Sequence, residues 1–159
     1  MNNDQQKILA IARSLIGTPY KYAVPSEEIP KFLDCSSFTQ YAYQQIGIEI
    51  PRSTILQAAQ AGAKIELTIP TPEGVGTPTE TSELTTKLEI GDLLFFRGHQ
   101  GHYNDKLFPK KEIYIGHVAM YTGDKKIIHG SFKQGEIVEE NLDTVTEKMG
   151  PIVMAKRLL

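Results

Sequence analysis

Apolar positions in the first part of the chain recur at helical spacing, and those in the second part fall in strand-like runs. Ile8, Ile11, Ala12, Leu15 and Ile16 share one helical face, and Gly17 with Pro19 stops the run, so a first helix is expected to end near Tyr20. After the polar loop VPSEEIP, Asp34 can cap a second helix in which Cys35, Phe38, Ala42 and Ile46 lie on one face, with Gly47 as its stop. PRSTILQAAQAG predicts a short third helix, capped by Ser53 and closed by Gly62. From Gly91 the texture changes. DLLFF, YIGHVAMYT, KIIHGS, EIVEE and PIVMAKRLL carry β-branched and aromatic residues with turn signals between them. Helices first and strands later predict an α+β domain built on an antiparallel sheet.

The segment 66–88, rich in Thr, Pro, Glu and Gly, suits an exposed loop. It is expected to be an insertion rather than a linker, because the segments beside it are too short for two cores. A second insertion is expected near 98–111. With 159 residues and no internal repeat, the chain is expected to form one domain over 1–159, burying about two thirds of its extended surface.

Composition narrows the function classes. A net charge of -2 lacks the positive excess of a nucleic-acid binder, and no run approaches the ~18 apolar residues of a membrane span. The start, MNNDQQKILAIARSL, has no basic cluster before its apolar residues and is interrupted by Arg13, so it predicts an amphipathic helix and not a signal peptide. The expected location is the cytoplasm, or outside it by a route that needs no signal peptide; a removed leader would make the protein secreted. One cysteine allows no intrachain disulfide and leaves Cys35 as a lone thiol.

Cys35 is either a nucleophile or a small apolar filler. A helix N-terminus lowers a thiol pKa because unpaired amides point at it, whereas the neighbouring Asp34 opposes a second negative charge, so a cationic partner is called for. His117 and His129 stand on adjacent predicted strands separated by the turn signal Gly123-Asp124. A three-residue loop pairs residue 119 with 129 and puts both histidines on one face, while a two-residue loop sends them to opposite faces. If both serve one site, the hairpin must have an odd loop or a bulge. His117 could then act as base toward Cys35 while His129 orients its ring. His99 and His102, with Asp105 nearby, have a spacing that can ligate metal, but the loop has no further histidine or cysteine, and no metal site is expected.

The motifs DCSSF opening a helix, PRST with a following Gln, GDLLFF, GHVAMYTG and IIHGS, in that order, resemble the NlpC-type cell-wall cysteine peptidases, a papain-like family. The likeness runs from about Gly17 to Ser131. It implies a papain-like α+β fold with the nucleophile at a helix N-terminus packed on the sheet. It also implies hydrolysis of amide bonds in peptidoglycan stem peptides, such as the γ-D-glutamyl-diamino acid bond, with no metal or organic cofactor. By the same resemblance Cys35 is the nucleophile, His117 the base and His129 the third polar residue. Tyr20 and the Cys35 N–H would hold the oxyanion. Asp34 and Ser36 match positions that bind a substrate's terminal amine, and Arg52 stands where the groove is often basic. Ser37 and Ala23 replace glycines of the family pattern. The implied partner is a peptidoglycan or muropeptide, joined by an inhibitor or immunity protein if the chain is a secreted effector. Competing readings are a non-catalytic peptide- or partner-binding module on the same scaffold and a thiol-dependent acyltransferase.

Overall fold

A computed structural model describes residues 1–67, 86–98, 104, 106–109 and 113–159. Three helices come first: α1 (Asn3–Ser14), α2 (Cys35–Gln44) and α3 (Thr54–Gln60). Strands β1 (Ala63–Lys64), β2 (Leu93–Phe96), β3 (His117–Gly123), β4 (Lys126–Ser131), β5 (Glu136–Asn141) and β6 (Ile152–Arg157) follow, with α4 (Leu142–Met149) between the last two. The expected α+β class is the class observed. The strands form one antiparallel sheet in the order β1-β6-β2-β3-β4-β5.

Each helix start has a chemical cause. Asn2 caps α1 through a reciprocal pair of hydrogen bonds with Gln5, and Asp34 caps α2 in the same way with Ser37. Ser53 Oγ accepts the Leu56 N–H at the start of α3. α1 stops at Ser14, before the point expected, and backbone bonds from Gly17, Thr18 and Tyr20 then tie the following segment down, two of them to the β5 region at Ile137 and Gly135.

Alternation along the strands sorts the core onto two faces. Leu93, Phe95, Val118, Met120 and Ile128 pack against Ile8 and Ala12 of α1 and Phe38, Ala42 and Tyr43 of α2. Leu94, Phe96, Ala119, Tyr121 and Ile127 face the other way, under Leu142 and Val145 of α4. Each large side chain fully buried here contributes about 1.5–3 kcal/mol. The expectation for 66–88 falls mostly outside the described residues, which stop at 67 and resume at 86; most of 98–111 lies outside them too.

The candidate active site

The β3–β4 hairpin decides whether the two histidines meet. Its loop is two residues long: Gly123 pairs with Lys126, and Asp124 and Lys125 both adopt positive φ, 48° and 58°. Such a loop alone would put the histidines on opposite faces. However, the register shifts between Tyr121 and Gly123, leaving Thr122 as an extra residue, and from there Tyr121 pairs with Ile127 and Met120 with Ile128. The bulge restores the parity of an odd loop. His117 Nε2 and His129 Nδ1 lie 2.9 Å apart, with the rings edge-on at 88°. Both rings are buried, at 4% exposure.

Cys35 lies where β3 and β4 part, against Gly130 of β4 and the Val118 amide of β3. The β3–β4 ladder ends at Met120–Ile128, whereas β4 stays paired with β5 as far as Ser131–Glu136. The first turn of α2 packs against Gly130 beside this opening. A Cβ on Gly130 would stand 3.2 Å from the Cys35 backbone nitrogen and 3.1 Å from the Tyr20 ring, so only glycine fits there without displacing one of them. The Val118 amide, next in sequence to His117, and the Ser36 amide act on the Cys35 sulfur, which hydrogen-bonds Thr54 Oγ1 at 3.5 Å. No hydrogen bond joins the sulfur to His117 in this resting arrangement.

Electrostatics here differ from the expectation of a depressed thiol pKa. Burial pushes the Cys35 thiol up; the Thr54 hydroxyl and the Val118 and Ser36 amides oppose this, Asp34 reinforces it, and the net direction is upward. Burial and the neighbouring His129 push His117 down to about 3. Burial also lowers His129, against the pull of Glu140. Thiol and imidazoles are therefore all neutral at pH 7. Tyr20, raised to about 12 by burial and by Cys35, keeps its proton and remains a donor. Phe132, 82% exposed, packs edge-on against its ring with centroids 6.0 Å apart.

Asp34, Ser36 and Arg52 satisfy one another. The Arg52 guanidinium donates to Asp34 Oδ2 at 2.6 Å, Asp34 Oδ1 at 3.1 Å, Ser36 Oγ at 2.8 Å and the Val24 carbonyl at 3.0 Å. Asp34 also accepts the Ser37 and Val24 N–H groups. Burial alone would raise this carboxyl, but Arg52 and Ser37 outweigh it and hold it below the ordinary carboxylate range. Ser37, one departure from the family pattern, has a use: its hydroxyl accepts the Asp34 N–H at 2.8 Å. Ala23, the other, sits at φ 50°, where glycine would be unstrained.

Sequence reading missed Glu140. Its Oε2 lies 2.7 Å from His129 Nε2, and its Oε1 accepts from Lys148 of α4 at 3.3 Å. The available signal was parity: Glu140 pairs with Ile127 and so lies on the face of His129. His99, His102 and Asp105 lie outside the described residues. Among the described residues no cluster of three metal-ligating side chains occurs, and no helix is long and apolar enough to cross a membrane.

A sequence model of the NlpC/P60 family matches residues 17–150. The chain belongs to the NlpC/P60 family. It is 31% identical over 140 residues to a probable endopeptidase of Corynebacterium glutamicum, covering 87% of this chain and 48% of that protein. It is 30% identical over 122 residues to a γ-D-glutamyl-L-lysine dipeptidyl-peptidase of Bacillus cereus, covering 77% of this chain and 27% of the relative. The crystal structure of the NlpC/p60 domain of the peptidoglycan hydrolase SagA superposes with a TM-score of 0.65 at 25% identity, covering 99% of each chain. This chain spans about half the length of the Corynebacterium protein and about a quarter of the Bacillus one. The helices-on-sheet arrangement above is thus the papain-like NlpC/P60 fold.

Proposed function

We propose that this chain is a cysteine peptidase that hydrolyses amide bonds in bacterial peptidoglycan stem peptides, with the γ-D-glutamyl-diamino acid bond as its target. The carrying observation is the Cys35 thiol at the N-terminus of α2 under the influence of the amide that follows His117, with His117 itself 2.9 Å from His129. A non-catalytic binder of peptides has no use for that grouping. The named activity of the Bacillus cereus relative supports the choice of bond.

With burial favouring the neutral thiol and the neutral imidazole, the proposed chemistry begins with general-base catalysis. On substrate binding the thiol leaves Thr54 and gives its proton to His117 Nδ1 as sulfur bonds to the carbonyl carbon; such catalytic hydrogen bonds commonly tighten only in the substrate complex. The Tyr20 hydroxyl and the Cys35 N–H stabilise the oxyanion. Collapse expels the amine, which takes the proton from His117. Water, deprotonated by His117, then cleaves the thioester to release the carboxylate product and the thiol. Asp34 and Ser36, which accept from Arg52 at the first turn of α2, would receive the substrate's terminal amine.

Mass spectrometry of defined soluble wall peptides and of intact peptidoglycan, after incubation with the protein and with Cys35→Ala, tests the reading. Cleavage that vanishes in Cys35→Ala is expected, and the product masses name the bond. Absence of cleavage of both substrates would favour the binding module.

A further inference from the structure

The mechanism above needs a bare Nδ1 on His117, and nothing in the Cys35–His117–His129 group itself dictates where the protons sit. Two neutral imidazoles joined Nε2 to Nδ1 can hold their shared proton on either nitrogen. If His129 donates from Nδ1, His117 carries its own proton on Nδ1 and is no base toward the thiol.

Glu140 breaks this symmetry. An ionised carboxylate only accepts, so His129 Nε2, 2.7 Å from Glu140 Oε2, must be the protonated nitrogen. Neutral His129 then has a bare Nδ1 that can only accept, which makes His117 Nε2 the donor across the 2.9 Å contact. Neutral His117 in turn has its lone pair on Nδ1. We propose that Glu140 is a positioning residue that fixes the tautomers of both histidines and so leaves His117 Nδ1 free to take the Cys35 proton; this rests on the peptidase reading. The arrangement is a proton-ordered chain running from β5 through β4 to β3.

The surroundings keep Glu140 ionised. Its side chain is 15% exposed, and Lys148 of α4 donates to the oxygen that His129 does not use. Burial works against ionisation, but the His129 N–H and the Lys148 ammonium outweigh it, and the carboxyl lies below its ordinary value. A solvent-open depression of about 300 Å³, lined by Lys126, Glu139, Asn141 and Thr144, adjoins it. The titratable groups around Glu140 are therefore the neutral His129 and the charged Lys148, Lys126 and Glu139.

Long-range ¹H–¹⁵N spectra of the histidine side chains in the free protein, with no substrate present, test the assignment directly. The expected result is an Nε2–H tautomer on both His117 and His129 in the wild type, and a population of Nδ1–H on His129 in Glu140→Ala. In that variant kcat falls by at least about tenfold, as when a triad imidazole loses its fixed tautomer. KM stays near its wild-type value, and the acid limb of the kcat/KM profile moves to lower pH because the imidazolium has lost its carboxylate. A wild type with the His129 proton on Nδ1 overturns the proposal, as does a Glu140→Ala variant with unchanged tautomers and pH profile. The wild-type spectrum decides even if the variant does not fold. Cys35-dependent cleavage together with unchanged tautomers in Glu140→Ala would discard the role of Glu140 and leave the peptidase. The expected spectra without any cleavage would do the reverse.

Discussion

Tyr20 keeps a protonated hydroxyl in the electrostatic reach of Cys35. Two isolated backbone bridges flank it, Pro19 with Glu136 and Tyr20 with Leu33, and its ring lies over Gly130. Its hydroxyl keeps its proton well beyond neutral pH. In the proposed mechanism this donor meets its full partner only when the carbonyl oxygen becomes negative. Tyr20→Phe is therefore expected to lower kcat by roughly a hundredfold, the loss typical of one oxyanion donor, while KM changes little. Steady-state kinetics on a defined stem peptide checks this; an equal loss in KM would mean that the hydroxyl binds substrate instead. The tyrosine, the cysteine and the two histidines were legible because short motifs surround them. Glu140 was not, since a carboxylate in EIVEE looks like any other until strand register puts it beside His129.

At the scale of elements, the β3–β4 hairpin carries the most information per residue. The sequence alone required an odd loop or a bulge for a shared site, and the structure uses the bulge at Thr122. Deleting Thr122 would leave Gly123–Lys126, Tyr121–Ile127 and Met120–Ile128 as a regular two-residue hairpin, with His117 still on the face of His129. Activity within about tenfold of wild type is expected for that deletion. Inserting one alanine between Ala119 and Met120 turns His117 to the opposite face and should abolish cleavage, because a one-residue slip inverts every side chain beyond it. Turnover assays on the two variants, with circular dichroism as a check on folding, separate register from simple disruption. The five principal strands and three helices followed from periodicity and turn residues. β1 is only two residues long, too short to leave a pattern. α4 was missed because Thr144, Val145 and Thr146 weaken its helical signature, although Leu142, Val145 and Met149 have helical spacing.

For the whole molecule, the buried polar groups set a pH range. His117 has a folded pKa of about 3 against about 6.5 unfolded, and His129 shifts in the same direction. Between those values the unfolded chain binds more protons, so stability is present above about pH 6.5 and declines as pH falls toward 3. Asp34 and Glu140, held below their ordinary values, are protonated more readily when unfolded and add to the loss below about pH 4. Thermal unfolding is expected to show Tm falling steadily from pH 7 to pH 4, with a shallower decline in His117→Gln, which has no proton to gain there. A profile identical in both proteins would show that the His117 ring is solvated in the folded state. One further consequence comes from the opening between β3 and β4. The Val118 amide, beyond the last β3–β4 pair at Met120–Ile128, acts on the Cys35 sulfur. Its chemical shift and exchange rate are thus expected to register the chemical state of that sulfur, and under the proposed mechanism one backbone proton would report acylation of the thiol.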